Sequence, residues 1–157
     1  MLEIRWHGHS CFEISNDLIL VTDPHDGKSI GIPTPLVKAD LVLVSHNHFD
    51  HNSIKTVSHQ KTTIVTEKRK RNFHNVDIKG IESYHDTSFG EKRGKNIIYV
   101  FRIEDITFAH LGDLGHQLEE KQIQNLGDID ILFIPVGGTY TINAQQAKEL
   151  IKKINPR

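Results

Sequence analysis

Residues 46 to 51 read His46-Asn47-His48-Phe49-Asp50-His51, so four side chains able to bind a metal occupy six consecutive positions. They follow directly on the apolar run Leu41-Val42-Leu43-Val44, which is bounded by Asp40 and Ser45. A solvated strand would alternate polar and apolar residues. This run is apolar throughout, which predicts a strand covered on both faces and restricts the chain to folds that can provide such cover. The cluster then projects from a rigid strand end. Imidazole and carboxylate suit zinc, manganese or iron. Three His and one Asp exceed the needs of one catalytic zinc, which takes three protein ligands and keeps a position open for water, so the spacing predicts two metals.

The length of 157 residues predicts one domain, 1–157, large enough for a real core. With 19 basic and 20 acidic residues the net charge is close to zero. No positive field gathers nucleic acid, and a small-molecule substrate is the expected partner. The one basic run, Lys68-Arg69-Lys70-Arg71, reads as a solvated surface turn. Cys11 is the only cysteine, which excludes an internal disulfide and fits a reducing compartment. It lies in the strand-like Cys11-Phe12-Glu13-Ile14, where a buried structural role is expected. Met1 to Trp6 alternate as a strand without the apolar core of a signal peptide, and no run approaches membrane-spanning length. The expectation is a cytoplasmic protein with no membrane partner.

The chain opens as a β-meander. Leu2, Ile4 and Trp6 share a face, and Phe12 with Ile14 begin a second strand that turns at Asn16-Asp17 into Leu18 to Val21. After the His cluster, Asn52 or Ser53 is placed to cap a short helix carrying Ile54 and Val57, and Thr62 to Thr66 returns as a strand. Further strands are predicted at Val76 to Ile81 and, as a hairpin across Glu104-Asp105, at Asn96 to Ile103 and Ile106 to His110. A helix around Glu119 to Leu126, a strand Ile129 to Val136, a Gly137-Gly138 loop and a helix from Asn143 to Ile154 complete a mixed α/β chain.

Two later segments carry further candidates. Ser83-Tyr84-His85-Asp86 introduces a glycine-containing stretch, Phe89-Gly90 to Arg93-Gly94, and His110-Leu111-Gly112-Asp113-Leu114-Gly115-His116 ends the hairpin strand. Together with the His-x-His-x-Asp-His run, these segments resemble the metallo-β-lactamase superfamily. The resemblance implies that His46 and His48 bind one metal and that Asp50 and His51 bind the second. It also implies His85 as the third His of the first metal and Asp113 as a bridge between the two. His110 competes with His85, but the superfamily's third His precedes the bridging Asp by a long segment, and His110 is only three residues away. His110 and His116 are expected to pack or to hydrogen-bond behind the ligands. Trp6-His7-Gly8-His9-Ser10-Cys11-Phe12 and Thr22-Asp23-Pro24 resemble the branch that includes lactonases of phosphorylated sugar lactones, the ascorbate-6-phosphate lactonase-like proteins. In that branch the Asp after the third strand braces the metal loop, a role that falls to Asp23 here, and His9 is expected behind the ligands as well.

The resemblance runs from residue 2 to the end and implies an αββα sandwich. The family pattern closes with one more strand carrying a last His, whereas this sequence ends at Asn155-Pro156-Arg157. The expectation is therefore a sandwich lacking its C-terminal strand, a second metal short of one ligand, and self-association through an uncovered strand edge. One or two zinc ions are the implied cofactor, with manganese or iron as alternatives. The implied chemistry is hydrolysis of an ester, lactone or phosphoester by a metal-bound hydroxide, with Asp50 as ligand and proton acceptor. Two other classes stay open, a di-iron redox protein of the same fold and a noncatalytic, truncated metal-binding domain. Arg93, a lone Arg after glycines, reads as structural or solvated, with phosphate recognition as the alternative.

Overall fold

The computed structural model describes residues 1–157. The chain divides into two compact units, 1–66 and 67–157, and each is built on one five-stranded sheet. In the first unit the strands β1 (Glu3–Trp6), β2 (Phe12–Ser15), β3 (Ile19–Thr22), β4 (Leu41–Leu43) and β5 (Thr63–Val65) lie in sequence order. β1 to β3 form the antiparallel meander, and β3, β4 and β5 run parallel. All three residues of β4 are fully buried, as its uninterrupted apolar run requires. Parallel pairing also brings the C-terminal ends of β3 and β4 out at one edge, where the Asp23 N–H donates to the Leu43 carbonyl at 2.9 Å. Side chains that follow these two strands therefore emerge beside each other, the usual location of ligand sites in parallel sheets.

Cys11 packs with Val21, Ala39, Val42, Val44 and Val57 in the core of this unit. β1, by contrast, is exposed along its whole length, and the Trp6 ring stacks on Phe12 with ring centres 6.4 Å apart. The single-turn helix α1 (Ile54–Val57) departs from the sequence expectation at its start. Ser53 precedes it without capping it, because the hydroxyl donates to the Phe49 carbonyl at 2.9 Å. Asn52 does not cap it either; its amide donates to the Asn47 side chain.

The second unit contains β6 (Lys70–Phe73), β7 (Val76–Tyr84), β8 (Lys95–Ile103), β9 (Ile106–His110) and β10 (Ile131–Phe133), in spatial order β10-β9-β8-β7-β6. Only the β9–β10 pair is parallel. The hairpin across Glu104-Asp105 forms as expected, with Glu104 in the left-handed region at φ 54°. β6 corrects the reading of the basic run as a turn, since Lys70 and Arg71 pair with Lys79 and Ile78 of β7. The run has no apolar alternation because the strand is an exposed sheet edge with no inner face to bury. The strand expected over 129–136 is only three residues long.

Two helices complete this unit, α2 (Glu120–Leu126) and α3 (Ala144–Ile154). A capping box starts α3: the Asn143 side chain accepts from the Gln146 N–H at 2.9 Å, and the Gln146 side chain accepts from the Asn143 N–H. Ala147, Leu150 and Ile154 then fall on one face and pack with Ile98, Ala109, Leu111 and Leu114. Burial of a side chain such as Leu150 contributes about 1.5 to 3 kcal/mol. No helix is long and apolar enough to cross a membrane.

Candidate metal centre

In the first unit the site grows from the paired ends of β3 and β4. Asp23, fully buried just past β3 and held at φ 37°, turns its carboxylate onto the start of the His loop. Oδ1 accepts the Ser45 N–H at 2.6 Å, and Oδ2 accepts the Ser45 hydroxyl at 2.6 Å. A hydroxyl has one proton to give. With that proton directed to Asp23, the contact between Ser45 Oγ and His46 Nδ1 at 2.8 Å needs the proton on the imidazole. Nδ1 of His46 is thus the N–H side of the ring, and Nε2 carries the lone pair. His51 is arranged in the same sense. Its Nδ1 lies 3.2 Å from Asp23 Oδ2, and its Nε2 faces the other way. One buried carboxylate thus sets the tautomer of His46 through Ser45 and lies within ion-pair range of His51, the arrangement by which groups behind a metal ligand orient it.

His9 joins this set from the β1–β2 loop. Its backbone is held in the left-handed region at φ 51° after Gly8, and its carbonyl accepts the Trp6 indole N–H at 3.0 Å. The side chain places Nε2 at 3.0 Å from Asp50 Oδ2 and at 3.0 Å from His51 Nε2. Sequence reading put His9 behind the ligands; its ring nitrogen lies within hydrogen-bond distance of two of the candidate ligands, Asp50 and His51. The His46 ring lies 4.5 Å from the His48 ring and 4.2 Å from that of His51. His9, Asp50 and His51 thus offer three donor atoms within 4.8 Å of one another. Two imidazole nitrogens and a carboxylate oxygen gathered this closely fit a divalent cation.

The second unit by itself brings His85 and Asp113 together. His85, which follows β7 and is almost fully buried, donates Nδ1–H to the Tyr140 carbonyl at 2.9 Å, so its Nε2 also carries the lone pair. That nitrogen lies 3.2 Å from Asp113 Oδ2. Burial alone would lower the His85 pKa, but the hydrogen bond and charge of Asp113 outweigh it and the net direction is upward. The Asp113 backbone is itself fixed by its N–H bond to the side-chain oxygen of buried Asn96.

His116 serves the backbone. Its Nε2 accepts the Tyr84 N–H at 3.2 Å, and its Nδ1 donates to the Gln117 carbonyl at 2.8 Å. The Tyr84 carbonyl accepts the Gly115 N–H at 2.9 Å, so residues 115 and 116 grip the chain immediately before His85. This approach requires glycine, because a Cβ at position 115 would stand 2.4 Å from the His85 carbonyl carbon. His110 is buried on β9, with its ring against Phe133 at 6.3 Å between centres. Ser45, Gly115 and the Tyr140 carbonyl had no distinguishing sequence signal. The last two act through the main chain, and only the position of Ser45 beside the His cluster hinted at its part.

A model of the β-lactamase superfamily domain matches residues 3–157, and the chain belongs to that family. It is 29% identical to a protein of Thermoplasma volcanium named a metal-dependent hydrolase, over 98% of this chain and 79% of the relative. A protein of the same designation from Bacillus cereus is 25% identical, over 99% of this chain and 82% of the relative. A crystal structure from Thermotoga maritima, designated a Zn-dependent hydrolase of the metallo-β-lactamase superfamily, superposes with a TM-score of 0.81 at 38% identity. It covers all of this chain and 73% of its own. Two sheets with accompanying helices are the mixed α/β architecture shared with these neighbours.

Proposed function

We propose that this chain is a metal-dependent hydrolase acting on an ester, lactone or phosphoester of a small molecule. The observation that carries the reading is the convergence of His9 Nε2, Asp50 Oδ2 and His51 Nε2, with Asp23 fixing His51 from behind. Within the first unit His9, Asp50 and His51 would hold one ion; His46 and His48 of that unit, and His85 and Asp113 of the second, are the further ligands that the family pattern implies. Imidazole-rich sets of this kind favour zinc. When bound, such ions acidify water toward neutral pH and take up oxyanion charge.

The protein's own side chains then have distinct tasks. His46 and His85 keep their Nδ1 protons directed at Ser45 and the Tyr140 carbonyl, so each of these rings presents a fixed lone pair at Nε2, and Asp23 lies 3.2 Å from His51 Nδ1. Asp50 orients the nucleophilic water, accepts its proton and returns it to the leaving atom. His9 brings its Nε2 to 3.0 Å from Asp50 Oδ2, where the two would share one ion. The single, buried, reduced Cys11 supports work in a reducing compartment such as the cytoplasm.

Metal analysis of the full chain after zinc loading and desalting tests the assignment, paired with hydrolysis of aryl esters and lactones before and after chelation. Two zinc ions per chain and chelator-sensitive turnover are expected. His9→Ala should lower the content to about one ion with a fold unchanged by circular dichroism. Retention of two ions at unchanged affinity in that variant would remove His9 from the ligand set.

A further inference from the structure

Beside His85 the second unit contains a cavity of about 290 Å³, lined by His85, Asp86, Lys92, Arg93, Tyr140 and Thr141 among others. We propose that this cavity is a subsite for an oxyanion carried by the substrate, a carboxylate or phosphate group, with Arg93 as the residue that recognises it. The proposal rests on the hydrolase reading above and adds a substrate class to it.

Arg93 differs from the basic residues of this unit that are paired with carboxylates. Lys68, Lys95 and Arg71 have carboxylate partners on the surface. The Arg93 guanidinium instead lies 3.3 Å from the centre of the Tyr140 ring and takes part in no ion pair. Stacking occupies one face of the guanidinium plane and leaves its N–H edge available, which is the edge that forks onto a carboxylate or phosphate. The carboxylate on the same cavity wall does not neutralise it. Asp86 turns into its own loop and accepts the N–H groups of Ser88 at 2.7 Å, Gly90 at 2.9 Å, Lys92 at 3.1 Å and Arg93 at 2.8 Å. Four donors on two oxygens satisfy that charge and fix the loop through its left-handed residues Phe89 and Gly90. The loop thereby delivers Arg93 to Tyr140 with little conformational freedom left to lose on binding.

Tyr140 links the cavity to the reacting centre. Its ring carries Arg93, and its backbone carbonyl holds His85 Nδ1. An anionic group seated on Arg93 is thus one residue away from a proposed zinc ligand, a spacing suited to a small bifunctional substrate. The near-zero net charge supplies no general attraction for anions, so discrimination must be local. A cavity of this volume holds one small acidic group and not an oligonucleotide.

The test uses the zinc-loaded full chain and matched aryl acetates: phenyl acetate, 4-carboxyphenyl acetate and 4-acetoxyphenyl phosphate. The wild type should prefer at least one anionic ester by about tenfold in kcat/KM, and the larger preference identifies carboxylate or phosphate as the group read. Arg93→Ala should cost the preferred anionic ester about 10- to 100-fold, mainly through KM, and leave phenyl acetate within about twofold. Arg93→Lys should recover only part of the loss, because an ammonium cannot reproduce the fork. No anionic preference in the wild type, or equal losses on charged and neutral esters, would overturn the subsite. If none of the esters is turned over although two zinc ions are bound, the hydrolase reading fails instead, and benzoate and phenyl phosphate titrated calorimetrically still decide the subsite. Weaker binding to Arg93→Ala by about tenfold supports it, and equal binding overturns it.

Discussion

The two units hold their histidines by different means. In residues 1–66 a buried carboxylate does the work, as Asp23 binds the Ser45 N–H and hydroxyl and fixes His46 and His51 in consequence. In residues 67–157 the main chain does it, as the Tyr140 carbonyl orients His85, and Gly115 with His116 clamps Tyr84. A charged brace is strong but intolerant, because its removal leaves several buried donors unsatisfied at once. A backbone brace tolerates many side-chain changes and fails where the chain must approach closely.

The largest effect should come from the charged brace. Asp23→Ala is expected to destabilise the protein by about 3 to 5 kcal/mol, because it orphans buried donors that the carboxylate had paired. Urea unfolding measures this, and a loss below about 1 kcal/mol would show that the contrast between the units is not energetic. Next is Gly115→Ala, where overpacking against the His85 backbone should cost about 1 to 3 kcal/mol. Zinc content should fall in that variant and in His85→Ala, whereas His110→Ala should stay loaded. Loss of metal from His110→Ala alone would exchange the two histidines in the assignment.

The smallest effect belongs to Cys11. Burial, reinforced by the negative charge of Asp23, pushes its thiol up to about 12. At pH 8 it should carry about three orders of magnitude less thiolate than a free cysteine, so iodoacetamide should leave the native protein unlabelled over hours. The raised value also sets the direction of a pH effect. The contribution of the neutral thiol to stability is complete below the unfolded thiol's pKa and declines as pH rises toward about 12. Cys11→Ala should flatten that part of the alkaline stability profile.

Much of the first unit was legible because its signals are local. The apolar run of β4 announced a strand covered on both faces, and the His cluster followed it within a few residues. The role of Asp23 was read from resemblance, and the structure supplies its hydrogen bonds. The contact of His9 with Asp50 at 3.0 Å was not legible, because 41 residues separate the two and a left-handed turn brings them together. In the second unit the periodic segments gave the hairpin and α3, whereas the brace on His85 comes from a carbonyl 55 residues away, and carbonyls have no sequence identity. The missed strand β6 shows a related limit. Pattern reading needs an apolar face, and an edge strand whose residues are mostly exposed offers none.

That strand also bears on the solubility of the protein. β6 ends its sheet, and its outer backbone groups are a template onto which a second molecule could add. Lys70 and Arg71 sit on this edge with Lys68 and Arg69 just before it, so an identical edge approaching in register would bring the same cations together. Glu67 offsets part of this charge through Arg69 and Arg71, and Lys70 remains outside those pairs. The basic run is thus a gatekeeper against sheet-to-sheet aggregation, and replacing Lys70 and Arg71 with threonine or valine would keep the strand while opening a route to fibrous or amorphous precipitate.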